Sequence, residues 1–289
     1  MRAAPRGLRW LGFAAGAALL VAACGWLANR GAPAQTKLSE GSTQVAYRAG
    51  LGAHASALPV ALKIGTSPSR AACAGATRRL GSARVAYAGL VVKNRTLVHS
   101  LPHSGTPVVA TLSRYNVNGF RQVLGVVGVH TGSGCRADWY RVQLPVVPNG
   151  SFGWIRAWAV STYRVRSRIV VDLSQRELRV YRFGKLRLRT PVAVGTTATP
   201  TPRGRFFVDE RYTLPDGSGP FGPNALGISA HSDALQHVWV EDGPIGIHGT
   251  NEPWSIGRAA SHGCIRVPND VMTRVFRLAP AGTPIIVTA

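Results

Sequence analysis

The alternation of apolar and polar positions divides the chain into an irregular start and a strand-rich remainder. Between about residues 82 and 163, short apolar runs recur at 84–88, 97–100, 108–112, 122–130, 139–144 and 153–157. Runs of this length, rich in β-branched and aromatic residues, predict strands, and Pro102-His103-Ser104-Gly105 and Pro148-Asn149-Gly150 predict turns between them. A small β-barrel is the expected arrangement. From Ser167 onward, 168–172 and 177–182 predict a hairpin around Ser174-Gln175, and further strands are expected at 191–195, 204–209 and 283–288. His248 ends another apolar run with Ile245 and Ile247. Only 269–278 reads as a helix, with Asn269 as N-cap and Asp270 near the positive end of the dipole. The expected fold class is mainly β.

The first 81 residues lack this alternation. Arg2, Arg6 and Arg9 precede an uncharged run from Trp10 to Ala28, closed by Arg30, so residues 1–30 read as an export segment or membrane anchor. The apolar run is about long enough to span a bilayer, which needs roughly 17–25 residues. The basic flank precedes it, which places the remainder outside the cytoplasm. Val21-Ala22-Ala23-Cys24 resembles a lipoprotein cleavage site, with Cys24 as the lipidated residue. Uncleaved anchor, lipoprotein and secreted protein stay open as readings, and all three imply an extracytoplasmic protein. Residues 31–81, rich in Ala, Gly, Ser and Pro, read as a flexible linker.

Composition adds two constraints. An apolar fraction of 45% over 289 residues excludes a disordered chain and leaves room for two modest domains. The net charge of +22 is concentrated early, because Glu40 is the only acid before Asp138. Such charge fits anionic partners, lipid headgroups or wall polymers among them. Coding bias gives the same charge with no partner, since Lys37, Lys63, Lys93 and Lys185 are the only lysines and Arg supplies the rest. Export, and arginines scattered rather than striped with aromatics, argue against nucleic acid.

Cys73 and Cys135 fall in one region, and outside the cytoplasm such a pair is expected to form a disulfide, two separately buried thiols being the alternative. Cys264 is then the odd thiol of the exported part, and a reactive nucleophile is one reason for it. Its surroundings fit that reading: Ile247-His248-Gly249-Thr250 precedes Ser261-His262-Gly263-Cys264-Ile265-Arg266-Val267. A thiol with an ordinary pKa of about 8.5 is only a few per cent ionised at pH 7, and a nearby imidazole or fixed cation corrects the deficit. If residues 262–266 are extended, His262, Cys264 and Arg266 share one face while Ile265 and Val267 turn to the core. Gly263 lets backbone approach a substrate closely and offers its amide to a developing oxyanion. Ordinary half-buried histidines, an inert core thiol and a zinc site are the competing readings. The His262–Cys264 spacing is unlike usual ligand pairs, and His231 and His237 are the nearest further ligands.

These residues, with Asn251-Glu252-Pro253-Trp254-Ser255-Ile256-Gly257-Arg258 between them, closely resemble the catalytic motif of the L,D-transpeptidase (YkuD-like) family. The resemblance extends to Val192-Ala193-Val194-Gly195, Thr201-Pro202-Arg203-Gly204-Arg205-Phe206 and Phe221-Gly222-Pro223-Asn224-Ala225-Leu226-Gly227, and covers 167–289. It implies a β-sandwich domain that cuts the bond before a D-alanine in a peptidoglycan tetrapeptide stem. The acyl group then passes to the side-chain amine of another stem. By this resemblance Cys264 is the nucleophile, His248 its base and the Gly249 carbonyl the group that orients the imidazole. Amides around His262, Gly263 and Cys264 make the oxyanion hole. Ser261, His262 and Arg266 shape the pocket, with Arg266 suited to a substrate carboxylate or to bracing its strand. No metal or organic cofactor is implied, and carbapenems are implied as covalent inhibitors. Trp139-Tyr140-Arg141-Val142 and Gly153-Trp154-Ile155 resemble the last strands of bacterial Src-homology-3-like wall-binding domains.

Two further readings stay open at this level. Within the same family, water in place of the amine makes the protein an L,D-carboxypeptidase-type hydrolase. A non-catalytic wall-binding protein would leave Cys264 idle. Papain-like and amidase-type cysteine hydrolases fit poorly, since they place Cys before His in the chain.

Overall fold

The structure, a computed structural model, describes residues 73–235 and 243–289. The segment expected to span or anchor, and Cys24 with it, lies outside the described residues. Among the described residues no helix is long and apolar enough to cross a membrane.

The chain builds two antiparallel-rich sheets in succession. The first comprises β1 (Thr77–Arg79), β2 (Ala86–Val91), β3 (Thr96–His99), β4 (Val108–Leu112), β5 (Val123–Thr131), β6 (Ala137–Gln143), β7 (Phe152–Arg156) and β8 (Val160–Val165). Its strands run in the order β4-β3-β7-β6-β5-β2-β8, with β1 added against β5. Among the described residues no ladder joins β4 to β8, so the path is open at both ends. Val98, Leu124, Val142 and Ile155 fill its core. β1 takes Thr77 to Arg79, read from sequence as linker, into the sheet by pairing with Gly128–His130. β8 was not legible because its Ser161-Thr162-Tyr163-Arg164 interior has no apolar alternation.

A disulfide joins Cys73 to Cys135 across 62 residues. Removing such a long-loop bond is expected to lower stability by roughly 2–5 kcal/mol. Thiol trapping of denatured, non-reduced protein should label Cys264 and leave Cys73 and Cys135 untouched. Label on all three would remove the bond from the account.

The second sheet holds the candidate chemistry. It comprises β9 (Ser167–Asp172), β10 (Glu177–Arg182), β11 (Lys185–Pro191), β13 (Gly204–Thr213), β14 (Asn224–His231), β15 (Pro244–His248), β17 (Ile265–Arg266) and β18 (Pro284–Thr288). The order is β11-β10-β9-β18-β13-β14-β15-β17, and β12 (Val194–Gly195) pairs separately with β16 (Ala259–Ser261). Gly204–Phe207 of β13 pair with β18, whereas Val208–Thr213 pair with β14. One strand thereby turns the corner between two half-sheets, as in sandwich folds. Ile169, Val171, Leu178 and Val287 from one half and Leu226, Ile245, Ile247 and Ile265 from the other share one core. The helix α1 (Asn269–Leu278) lies against β14 and β10 and buries Met272 and Val275.

The expected cap of α1 needs correction. Pro268 occupies the N-cap and no side chain caps the helix. The Asn269 amide is used elsewhere, as shown below.

The two sheets meet through side-chain hydrogen bonds and a ring contact. Asn149 Nδ2 donates to His231 O at 2.7 Å and its Oδ1 accepts from His231 N at 2.9 Å. Tyr163 Oη donates to Ala281 O at 3.1 Å, and burial pushes this phenol well above its ordinary pKa. Asn116 and Asn118 both donate to Glu210 Oε1, and Phe120 lies edge-on to Tyr212 at 4.8 Å. A cavity of about 410 Å³ at this junction is lined by Asp209, Glu210, Gln122 and His231 among others, and by neither His248 nor Cys264. Burial first, then the charge of Glu210, hold the Asp209 carboxyl well above the usual carboxylate range.

Candidate active site

β15 and β17 are parallel neighbours, with Ile247 opposite Ile265 and His248 opposite Arg266. Residues in register on adjacent strands present side chains to the same face. Ile245, Ile247, Ile265 and Val267 occupy the opposite, core-facing side. His248 therefore shares a face with Arg266, and Cys264 is the residue immediately before the Ile265 that pairs with Ile247. His248 and Cys264 are both buried, at 2% and 1% exposure.

The imidazole is fixed by its own backbone. His248 Nδ1 lies 2.6 Å from Gly249 O. A carbonyl only accepts, so Nδ1 carries the hydrogen and the neutral ring keeps its lone pair on Nε2. Nε2 is buried and has no hydrogen-bond partner. The Phe221 ring packs against the imidazole at 4.7 Å.

Gly249 is held in turn by a contact that sequence reasoning missed. Asn269 Oδ1 accepts the Thr250 amide at 2.7 Å, and Asn269 Nδ2 donates to Gly217 O at 3.2 Å. A Cβ on Gly249 would stand 2.3 Å from Asn269 Oδ1 and 2.9 Å from Gly222 Cα. The backbone of this turn, the Asn269 amide and Gly222 pack without room for any side chain. The amide that was to cap α1 thus secures the turn behind His248.

The nucleophile side departs from the extended strand expected over 262–266. Extended pairing begins only at Ile265, and Gly263 takes a φ of +115° in a bend. The bend removes the strand alternation from which a common face for His262, Cys264 and Arg266 was expected. A side chain at Gly263 would be strained by that φ and would meet Ile245 Cδ1 at 2.8 Å. Ser261 closes the bend: its hydroxyl donates to Cys264 O at 2.5 Å and accepts from Gly263 N at 3.2 Å. The Gly263 amide, expected to point at substrate, therefore already has an acceptor. Thr201 holds the bend from behind, donating to Gly263 O at 2.8 Å and accepting from Gly195 N at 2.8 Å. His262 is half-buried, and its Nδ1 is enclosed without a hydrogen-bond partner.

Arg266 is 7% exposed and its Nη1 pairs with Glu252 Oε2. Its backbone bonds Ala193 in both directions, at 2.9 and 3.0 Å. A substrate carboxylate at this guanidinium would have to share it with Glu252. Glu252 and Thr201 both lay inside the motif segments, but nothing in the residue types marked them as partners of Arg266 and Gly263.

A β-sandwich that seats a histidine at the end of one strand and a cysteine just before the start of its neighbour, with a tightly packed glycine beside each, defines a class to which sequence comparison gives a name. Residues 166–287 match the family profile of the L,D-transpeptidase (YkuD) catalytic domain. A Bacillus licheniformis protein carrying the name L,D-transpeptidase YkuD is 41% identical over 121 residues, covering 42% of this chain and 65% of that protein. Its Bacillus subtilis counterpart is 34% identical over 125 residues, covering 43% of this chain and 68% of that protein. The chain thus spans about two thirds of the length of the relatives it matches. The solved structure of an Enterococcus faecium L,D-transpeptidase mutant is 26% identical and covers 42% of this chain and 49% of that one, with a TM-score of 0.31. The chain belongs to the L,D-transpeptidase family.

Proposed function

We propose that this protein is a peptidoglycan L,D-transpeptidase whose nucleophile is the Cys264 thiolate. His248 Nε2 takes the thiol proton, and Sγ adds to the carbonyl before D-alanine in a tetrapeptide stem. The peptide C–N bond breaks, D-alanine leaves with a proton returned from the imidazole, and a thioester remains. The side-chain amine of a second stem then attacks the thioester, loses a proton to His248 and releases Cys264. The observation that carries this reading is the hydrogen bond from His248 Nδ1 to Gly249 O, which leaves Nε2 as the basic nitrogen. The carbonyl takes the place that a carboxylate holds in a catalytic triad. The Cys73–Cys135 bond supports an oxidising, extracytoplasmic location, with residues 1–30 as the export segment or membrane anchor.

Incubation with a tetrapeptide-stem muropeptide, followed by product masses, tests the proposal. A cross-linked dimer with release of D-alanine is the expected result. Tripeptide alone would mean an L,D-carboxypeptidase-type hydrolase, and unchanged muropeptide would mean a non-catalytic wall protein.

A further inference from the structure

Thr201 is 4% exposed and lies sixty-odd residues from the nucleophile in sequence. Its hydroxyl nevertheless makes two bonds of 2.8 Å at the nucleophile bend, accepting from Gly195 N and donating to Gly263 O. Gly195 is built for this approach, since a Cβ there would fall 2.3 Å from Thr199 O and 2.5 Å from Thr201 N.

The bond to Gly263 O has a geometric consequence one atom further on. The only cis peptide among the described residues is Val147–Pro148, so Gly263–Cys264 is trans. In a planar trans peptide the C=O and the following N–H point in opposite directions. A carbonyl pinned to the buried Thr201 hydroxyl therefore turns the Cys264 N–H away from Thr201. The left-handed φ of Gly263, +115°, is the freedom that lets this peptide plane take that orientation.

From this geometry we infer that Thr201 is a positioning residue for the oxyanion donor. The inference rests on the proposed role of Cys264. An acyl carbon bonded to Sγ is connected to the Cys264 amide through Cβ and Cα alone, so that amide is the backbone donor nearest the developing oxyanion. Ser261 fixes the other end of the same bend by donating to Cys264 O at 2.5 Å. The two hydroxyls thus hold the carbonyls on either side of the Cys264 amide.

Two reactions of one thiol separate this role from thiolate activation and from simple support of the fold. A carbapenem is opened when Sγ bonds to the lactam carbonyl, an oxyanion forms, the C–N bond breaks and nitrogen takes the proton. Iodoacetamide alkylates Cys264 Sγ by direct displacement of iodide at its CH2 carbon, and no oxyanion develops. In the full-length protein, Thr201→Val is expected to slow carbapenem acylation by about 10- to 100-fold, less than or comparable to deleting an oxyanion donor outright. Iodoacetamide alkylation of the same variant should keep the wild-type rate and pH profile. Thr201→Ser, which retains the hydroxyl, should restore acylation. Wild-type acylation in Thr201→Val, an equal slowing of both reactions, or a Thr201→Ser variant as slow as Thr201→Val would each overturn the inference. A wild-type protein whose Cys264 reacts with neither probe would instead overturn the proposed function on which it stands.

Discussion

Cys264→Ala is expected to abolish cross-linking and covalent capture of a carbapenem while leaving a folded protein. The side chain is 1% exposed and sits beside a two-residue strand, so its replacement removes one sulfur and leaves the surrounding hydrogen bonds in place. Substitutions of this size lower stability by about 0.5–3 kcal/mol. The chemical loss is of another order. Deleting the nucleophile of a covalent mechanism lowers kcat by on the order of 10⁴-fold or more. The Ser261 hydroxyl, the closest in sequence, is committed to Cys264 O and Gly263 N. Intact-mass spectrometry should find a single carbapenem adduct on the wild type and none on the variant. Equal labelling of both would refute Cys264 as the nucleophile.

His248→Ala is expected to move the pH profile of Cys264 alkylation upwards. In the wild type, the imidazole and thiol either transfer a proton on demand or form an ion pair, and the macroscopic pKa values belong to the pair. Alkylation should then persist below pH 7, where an isolated thiol is almost wholly protonated. Without the imidazole the profile should approach about pH 8.5, the value for an isolated thiol. His262→Ala should lower transpeptidation while moving the profile less. Its place in the proposal is in the pocket, before the bend at Gly263 and outside the paired strand. A larger shift from His262→Ala would transfer the base to that histidine and withdraw the geometry argued for His248.

Much of the site was legible because its chemistry is concentrated in two short motifs. The His248–Gly249 bond joins adjacent residues, and the resemblance to the family motif implied it before any fold was known. The bounds of α1 and the hairpin of β9 and β10 were equally local. What escaped was long-range or irregular. Thr201 meets Gly263, and Asn269 meets Thr250, only because β12, β14 and α1 converge on the motif strands. Asn269 was misread for the same reason: its position suits a cap, but a tertiary partner takes its amide. The bend at Gly263 escaped because glycine permits an extended strand as readily as a left-handed turn. β11 was hidden by Lys185, Arg187 and Arg189, whose charge masks the alternation that buries Leu188.

The position of the disulfide also decides how a mechanical load crosses the molecule. Tension drawn along the chain from before residue 73 enters at Cys73 and passes through sulfur to Cys135, in the turn between β5 and β6. Everything from β1 to β5 lies within the loop that the bridge closes, and is shielded from that pull. The stretch under load begins at β6 and continues through β7 and β8 into the catalytic domain. An enzyme anchored at its amino-terminal end and joined to a wall polymer through Cys264 would be stretched along this shorter route. Reducing the bridge would redirect the force through β1, whose three-residue ladder on β5 is the first that would peel.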